Sequence, residues 1–453
     1  MVNDTKFEVK KMFEVVYMQR GRFGHRPRND PNYYGGRYPF IQTGNVVEAS
    51  RTNQPIKFTQ TLNELGLSTS RLFDPGVLII TIAANIADTA ILTYKACFPD
   101  SLVALTPKSD INIYYLNIYI RLIKDYIERL APQSAQKNIN LKQLSPIPII
   151  VPPPKIQSKI IEIMDKAYVI KQQKEKEAGE LLDSISDYFL GQLGIVMPEV
   201  EESTLEKRMS YVNSNDVIGG RFDPKKYTAK YKNIFHAIKS SICDKKNLRQ
   251  VIKDDITGNW GLDETVEDKN LIKCLTIRAT EFDNRYNLNL DNNRVKYRKY
   301  TFRTYEKMSI TIGDILVEKS GGSEDQPVGR VAIIDKESLE NNILAFSNFI
   351  HKIVANDEFV RSDYLYEYLT LMHNIKVTEV MQNQTNGIRN LIMNEYLNQT
   401  ILLPTKEKQA EIASYIVSIK EQARQLETEA ISILEQAKKE VETILLGGET
   451  HEA

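Results

Sequence analysis

From Ile412 onward, apolar residues fall on alternating four- and three-residue steps: Ile412, Ile416, Ile419, Ala423, Leu426, Ala430, Ile433, Ala437 and Ile444. That spacing is the a/d seam of a helix packed along a partner helix. An earlier stretch places Ile160, Met164, Ala167, Ala178, Leu181, Ile185 and Tyr188 on matching positions, with Lys171 and Lys174 interrupting its middle. Each stretch starts at a proline brake, "VPPPKIQSKI" at residues 151–160 and "LPTKEKQAEI" at residues 403–412. Glycines supply the stops, Gly194 for the first and Gly447-Gly448 for the second. A helix of roughly 38 residues would run about 57 Å, too long for an amphipathic rod without a partner. Each helix either packs on its own globule or pairs with the other as a coiled coil, and the seam favours the pair.

The two brakes belong to an internal repeat with an offset of 252 residues. It sets Lys137-Asn138-Ile139 on Arg389-Asn390-Leu391, Pro152 on Pro404, Gln157 on Gln409 and Ile160 on Ile412. Upstream, residues 76–92 and 313–334 both read strand, turn, strand, and helical stretches follow at 113–130 and 364–373. The chain therefore reads globule, helix, globule, helix. Its expected divisions are 1–150, 151–207, 208–400 and 401–453.

At 453 residues, with 42% apolar and 26% charged, the chain has the composition of a water-soluble protein of two or three domains. Its longest apolar runs are too short to span a bilayer, and "MVNDTKFEVKK" lacks the apolar core of a signal peptide, so a cytoplasmic protein without a membrane partner is expected. Three widely spaced cysteines and five scattered histidines indicate neither a disulfide framework nor a metal site. The net charge of zero conceals alternation: the four divisions carry +6, −4, +2 and −4. Two basic globules alternate with two acidic helices, a pattern compatible with polyanion binding.

No catalytic motif stands out. "SGGSEDQPVGR" is glycine-rich but lacks the Gly-Lys of a phosphate-binding loop, and no nucleophile elbow exists. Asp30-Pro31-Asn32-Tyr33 is one residue from the tetrapeptide of amino-methyltransferases. The second proline and a preceding glycine-rich cofactor turn are missing, so a surface turn carrying an aromatic is expected there.

Basic and aromatic residues interleave twice. Residues 19–45 hold Arg20, Arg22, Arg26, Arg28 and Arg37 among Phe23, His25, Tyr33, Tyr34 and Tyr38, with Gln42 and Asn45 nearby. Residues 292–303 hold Arg294, Lys296, Arg298, Lys299 and Arg303 beside Tyr297, Tyr300 and Phe302. Such alternation also describes the two faces of an edge strand. Its presence in both halves favours nucleic acid, with arginine on phosphate or guanine and amides on adenine. The candidate DNA-binding residues are Arg20, Arg22, Arg26, Arg28, Tyr33, Arg37, Gln42 and Asn45, then Asn259, Trp260, Arg298, Arg303, Lys319, Ser320 and Arg330. Trp260, the sole tryptophan, reads equally as a loop anchor in the core.

The duplicated plan, the "N-I/L … P … Q … I" approach to each helix, the paired strand–turn–strand signatures and "GGRYPFIQTGNV" together resemble the specificity (S) subunits of type I restriction–modification enzymes. One departure is Ala83-Ala84-Asn85-Ile86-Ala87, where the second half keeps Gly321-Gly322 and Gly329. The resemblance implies an α+β fold. Two mixed α/β target-recognition domains would be separated by two long antiparallel coiled-coil helices in a pseudo-two-fold duplication. It implies that each domain reads one half of a split, asymmetric site in double-stranded DNA. It further implies two methylation subunits that use S-adenosylmethionine, and motor/nuclease subunits that use ATP and magnesium. This chain would then be non-catalytic and bind no cofactor itself. Alternative readings are the specificity component of a Type II-like or other phage-defence methyltransferase complex, and a coiled-coil adaptor that binds no DNA.

Overall fold

The computed structural model describes residues 4–108, 111–131, 138–198, 212–217, 223–323, 326–340, 342–385 and 387–448. Lys137 of the repeat and the expected division at 207/208 lie outside the described residues. The chain divides into two units: residues 1–178 with 424–453, and residues 179–423.

In the first unit, Val77–Thr81 and Thr89–Leu92 form the expected strand–turn–strand pair and continue into a four-stranded antiparallel sheet with Leu102–Pro107 and Val16–Arg20. Val77 through Thr81 are all buried, so this run carries apolar residues on both faces rather than alternating. A second sheet runs Gln60–Leu62, Tyr34–Phe40, Ala96–Cys97, Leu72–Phe73. Its central pair is parallel.

The second unit repeats this plan. Ile252–Thr257, Ile350–Ala355, Ile315–Glu318 and Val331–Ile333 make the antiparallel sheet. The other sheet runs Leu262–Asp263, Tyr297–Thr301, Leu271–Ile277, Leu344–Phe346, again with one parallel pair. Matching the parallel pairs makes Tyr34–Phe40 the counterpart of Leu271–Ile277, and Gln60–Leu62 the counterpart of Tyr297–Thr301. The two basic patches therefore occupy different strands of equivalent sheets. Sequence alone showed the pattern in both halves; strand pairing, which it does not display, places the two on different strands.

A two-stranded ribbon closes each half: Glu8–Lys11 on Pro148–Val151, and Asp244–Asn247 on Thr400–Leu403. Tyrosines lock both ribbons from the neighbouring helix. In the first unit the Tyr115 and Tyr119 hydroxyls donate to the carbonyls of Ile150 and Pro148. In the second, Tyr364 and Tyr368 donate to Leu402 and Thr400, positions displaced by the same 252 residues.

The long helices span Pro154–Gln192 and Lys406–Leu446, about 58 and 62 Å at 1.5 Å per residue. Gly194 and Gly447 take left-handed backbone angles, φ +64° and +87°, just beyond their ends. Within the first unit, Ile160, Met164 and Ala167 share a core with Ala437, Val441, Ile444 and Leu445, and Lys174 pairs with Glu429 at 2.6 Å. Within the second, the Tyr188 and Tyr415 rings lie 4.0 Å apart and Phe189 and Leu190 share a core with Ile412 and Ile416. The start of one helix thus meets the end of the other, so the pairing is antiparallel. The same cores include globule residues such as Tyr115 and Tyr364, so each helix packs on both its globule and its partner. Lys174 interrupts the apolar seam because it meets a carboxylate across it.

Candidate nucleic-acid interface

In the first unit the basic stretch folds around an aromatic nucleus. Phe23 and Phe40 are buried, their ring centroids 5.1 Å apart, with Tyr34 against both. Asp30 caps the turn Pro31–Tyr33 by accepting from the Asn32 N–H at 3.0 Å, and its other oxygen meets His25 Nε2 at 3.0 Å. The His25 ring stacks on Tyr33 at 3.8 Å. The near-tetrapeptide is thus a surface turn with a stacked aromatic, as the sequence suggested.

The arginines differ in what holds them. Arg20 donates to the Asp100 carbonyl, and Arg28 pairs with the Asp100 carboxylate at 2.6 Å. Arg26 donates to the carbonyls of Phe23 and His25. Arg37 contacts Glu64 and the Tyr38 hydroxyl at 2.9 Å each, and these partners raise its pKa, the Tyr38 hydrogen bond foremost. Arg22 is exposed and has no side-chain partner among the described residues. Asn45 is occupied: its side-chain oxygen accepts the Gln42 N–H at 2.8 Å in the first turn of Thr43–Thr52. Gln42 turns its amide to Gln60 at 2.9 Å, a partner no local sequence signal discloses. Phe23, Arg28, Asn29, Pro31, Tyr34, Phe40, Gln42, Gln60 and Pro99 line a cleft of about 410 Å³.

In the second unit, Arg298 lies 4.8 Å from the Trp260 ring, donates to the Trp260 carbonyl and pairs with Asp263 at 2.8 Å. Asp263 is held below the usual carboxylate range by the Thr265 N–H and hydroxyl, and then by Arg298. Trp260 is 37% exposed, so it is a surface platform under a cation rather than a core anchor. Asn259 fixes the loop by accepting from the Gly261 N–H at 2.7 Å. Arg303 and Phe302 project freely at the start of the helix Phe302–Lys307, Phe302 being 64% exposed. Lys319 reaches Thr257 at 3.4 Å, and Ser320 donates to the Asn390 side chain at 2.6 Å.

Arg330 differs from the surface role suggested by sequence. It pairs with the fully buried Glu318 at 2.8 Å and donates to the carbonyls of Phe282 and Ala279. Its guanidinium is thereby committed to holding the 279–282 turn. The site brings Asn259, Trp260 and Arg298 together; Lys319 and Ser320 belong to a separate group with Thr257 and Asn390.

Residues 3–179 and 227–436, most of the chain, match the family described as type I restriction modification DNA specificity domain. Among solved structures, a chain studied for complex assembly and conformational transition of the type I R-M system shares 13% identity, with 97% of this chain and 96% of that one covered, at a TM-score of 0.52. That likeness concerns the fold. The type I S subunit from M. genitalium shares 11% identity over 98% of this chain and 97% of its own, at a TM-score of 0.41. The HsdS subunit from Thermoanaerobacter tengcongensis shares 12% over 97% of each chain, at a TM-score of 0.36. With two matched globules, two antiparallel helices and a family match across both halves, the chain belongs to the type I restriction modification DNA specificity family and is a DNA-recognition subunit of such a system.

Proposed function

We propose that each globule reads one half of a split, asymmetric site in double-stranded DNA while the paired long helices set the gap between the halves. The repeated handover from ribbon to helix carries this reading, because it joins each globule to one arm of a single helical pair. The recognition domains correspond to residues 1–150 and 208–400, and the arms to 151–207 and 401–453. In the first half, Arg22 is free for DNA, Arg28, Arg37 and Gln42 offer surface side chains already oriented by Asp100, Glu64 and Gln60, and Arg20, Arg26 and Tyr33 shape the loop. In the second, Arg303, Lys319 and the Trp260–Arg298 platform face the duplex. Linking two modest binders across a fixed span raises avidity without new contacts.

The chain contributes address and assembly. Two methylation subunits supply S-adenosylmethionine and modify adenine, and motor/nuclease subunits supply ATP and magnesium chemistry. The setting is the cytoplasm, and among the described residues no helix is long and apolar enough to cross a membrane. Co-expression with a genetically adjacent methyltransferase in a methylation-free host, followed by single-molecule sequencing, tests this. A split motif with methyladenine in each half is expected. A stable, active methyltransferase complex that leaves no such motif would instead favour the adaptor reading.

A further inference from the structure

Gln42 and Gln60 approach one another from different elements, the cap of the helix Thr43–Thr52 and the edge strand Gln60–Leu62. Gln42 is fixed from both sides, its own N–H held by Asn45 and the preceding Ile41 N–H bonded to the Cys97 carbonyl at 2.9 Å. The Gln42 Nε2 donates to Gln60 Oε1 at 2.9 Å. That bond leaves the Gln42 carbonyl oxygen free to accept and the Gln60 amide nitrogen free to donate. Reversing both amides still leaves one free acceptor and one free donor. Both side chains line the 410 Å³ cleft walled by Phe40 and Tyr34, with Arg28 also lining it.

We infer that the Gln42–Gln60 amide pair reads the major-groove edge of one adenine in the first half-site. This rests on the DNA-reading function proposed above. Adenine presents a donor at N6 beside an acceptor at N7, the complement of the free groups on the pair. Guanine presents two acceptors and sets its O6 against the free glutamine oxygen. Cytosine offers a donor alone and leaves the second glutamine unsatisfied. The Asn45 side-chain oxygen is spent on the helix cap, so the free donor and acceptor come from the bonded Gln42–Gln60 pair.

The test is the methylation motif of the chain co-expressed with its methylation subunits, wild type against Gln60→Leu and Gln60→Glu. Gln60→Leu removes the donor, and adenine discrimination at one position of one half-site should fall roughly tenfold or more, the other half unchanged. Gln60→Glu presents acceptors only and should shift that position away from adenine toward cytosine. An unchanged motif in both variants overturns the inference, as does a uniform loss of methylation at every sequence with an unaltered melting temperature. A wild-type complex that writes no split motif overturns the underlying function and this inference with it. A wild-type split motif that neither variant changes leaves the function standing and removes the amide pair alone.

Discussion

The side-chain amide of Gln157 donates to the Pro152 carbonyl at 2.9 Å while its oxygen accepts the Asn112 N–H at 2.8 Å. Gln409 repeats this, donating to Pro404 at 2.9 Å and accepting from the Arg361 N–H at 2.9 Å. Asn112 and Arg361 are the cap residues of the globule helices Ile113–Leu122 and Ser362–Asn374. One buried amide thus joins the brake, the first turn of the long helix and the globule. Both glutamines are at most 2% exposed. Replacing either by alanine strips two backbone groups, buried or partly buried, of their partner, at a cost of about 1–3 kcal/mol for each substitution. Urea denaturation should show that loss, with faster amide exchange at Asn112 for Gln157→Ala and at Arg361 for Gln409→Ala. Unchanged exchange at these amides would refute the joint.

The loops after the first strand of each pair keep left-handed backbone in both halves, on different residues. The second half uses Gly322 at φ +70° and Gly329 at φ +106°; the first uses Ala84 at φ +64° and Ala87 at φ +63°. Ala84 is exposed, so Ala84→Gly removes a steric penalty of about 1–2 kcal/mol at little packing cost, partly offset by glycine's greater unfolded entropy. A small gain in thermal midpoint is expected. Gly322→Ala should move the other way, since an added Cβ would lie 2.9 Å from the Gln326 carbonyl oxygen.

His373 is buried between the Pro327 carbonyl at 2.9 Å and the Tyr286 hydroxyl at 2.7 Å. Burial lowers its pKa below 6.5, opposed by the Pro327 carbonyl and Glu318. The unfolded chain therefore takes up a proton that the folded chain resists. Stability from this group is full above about pH 6.5 and is lost as pH falls through 6.5 toward the depressed folded value. Gln at 373 retains a donor for Pro327 without titrating. Urea midpoints between pH 7.5 and 5.5 should consequently fall less in His373→Gln than in the wild type. Equal slopes would show that His373 does not contribute.

The helices, their brakes and the duplication were legible because apolar periodicity and proline punctuation are local. Leu426 and Ile433, placed on the seam by spacing, are only half-buried, while Val441 is buried outside the predicted set. A helix of 3.6 residues per turn drifts off a strict heptad over such a length. The candidate interface was legible only as composition. Whether an arginine is free, like Arg22, or committed, like Arg330 to Glu318, depends on carboxylates brought from elsewhere in the chain. Gln60 was invisible for the same reason: its meaning comes from a partner 18 residues away across a sheet edge.

Arg298 and Arg303 sit five residues apart and should behave differently on DNA. Arg298 is 17% exposed at its side chain, held by Asp263 and set over Trp260. A guanidinium so fixed in direction suits readout of a base edge, where the carboxylate and the ring define its approach. Arg303 is exposed, with no side-chain partner among the described residues, and suits a phosphate. Arg298→Ala should relax one position of the second half-site at a cost of about 1–3 kcal/mol. Arg303→Ala should weaken binding evenly across sequences and reduce the salt dependence by about one counterion. Affinities of the assembled complex for cognate and single-mismatch duplexes, taken over a salt series, separate the two. A uniform loss for Arg298→Ala, with its salt slope also reduced, would reassign that arginine to the backbone.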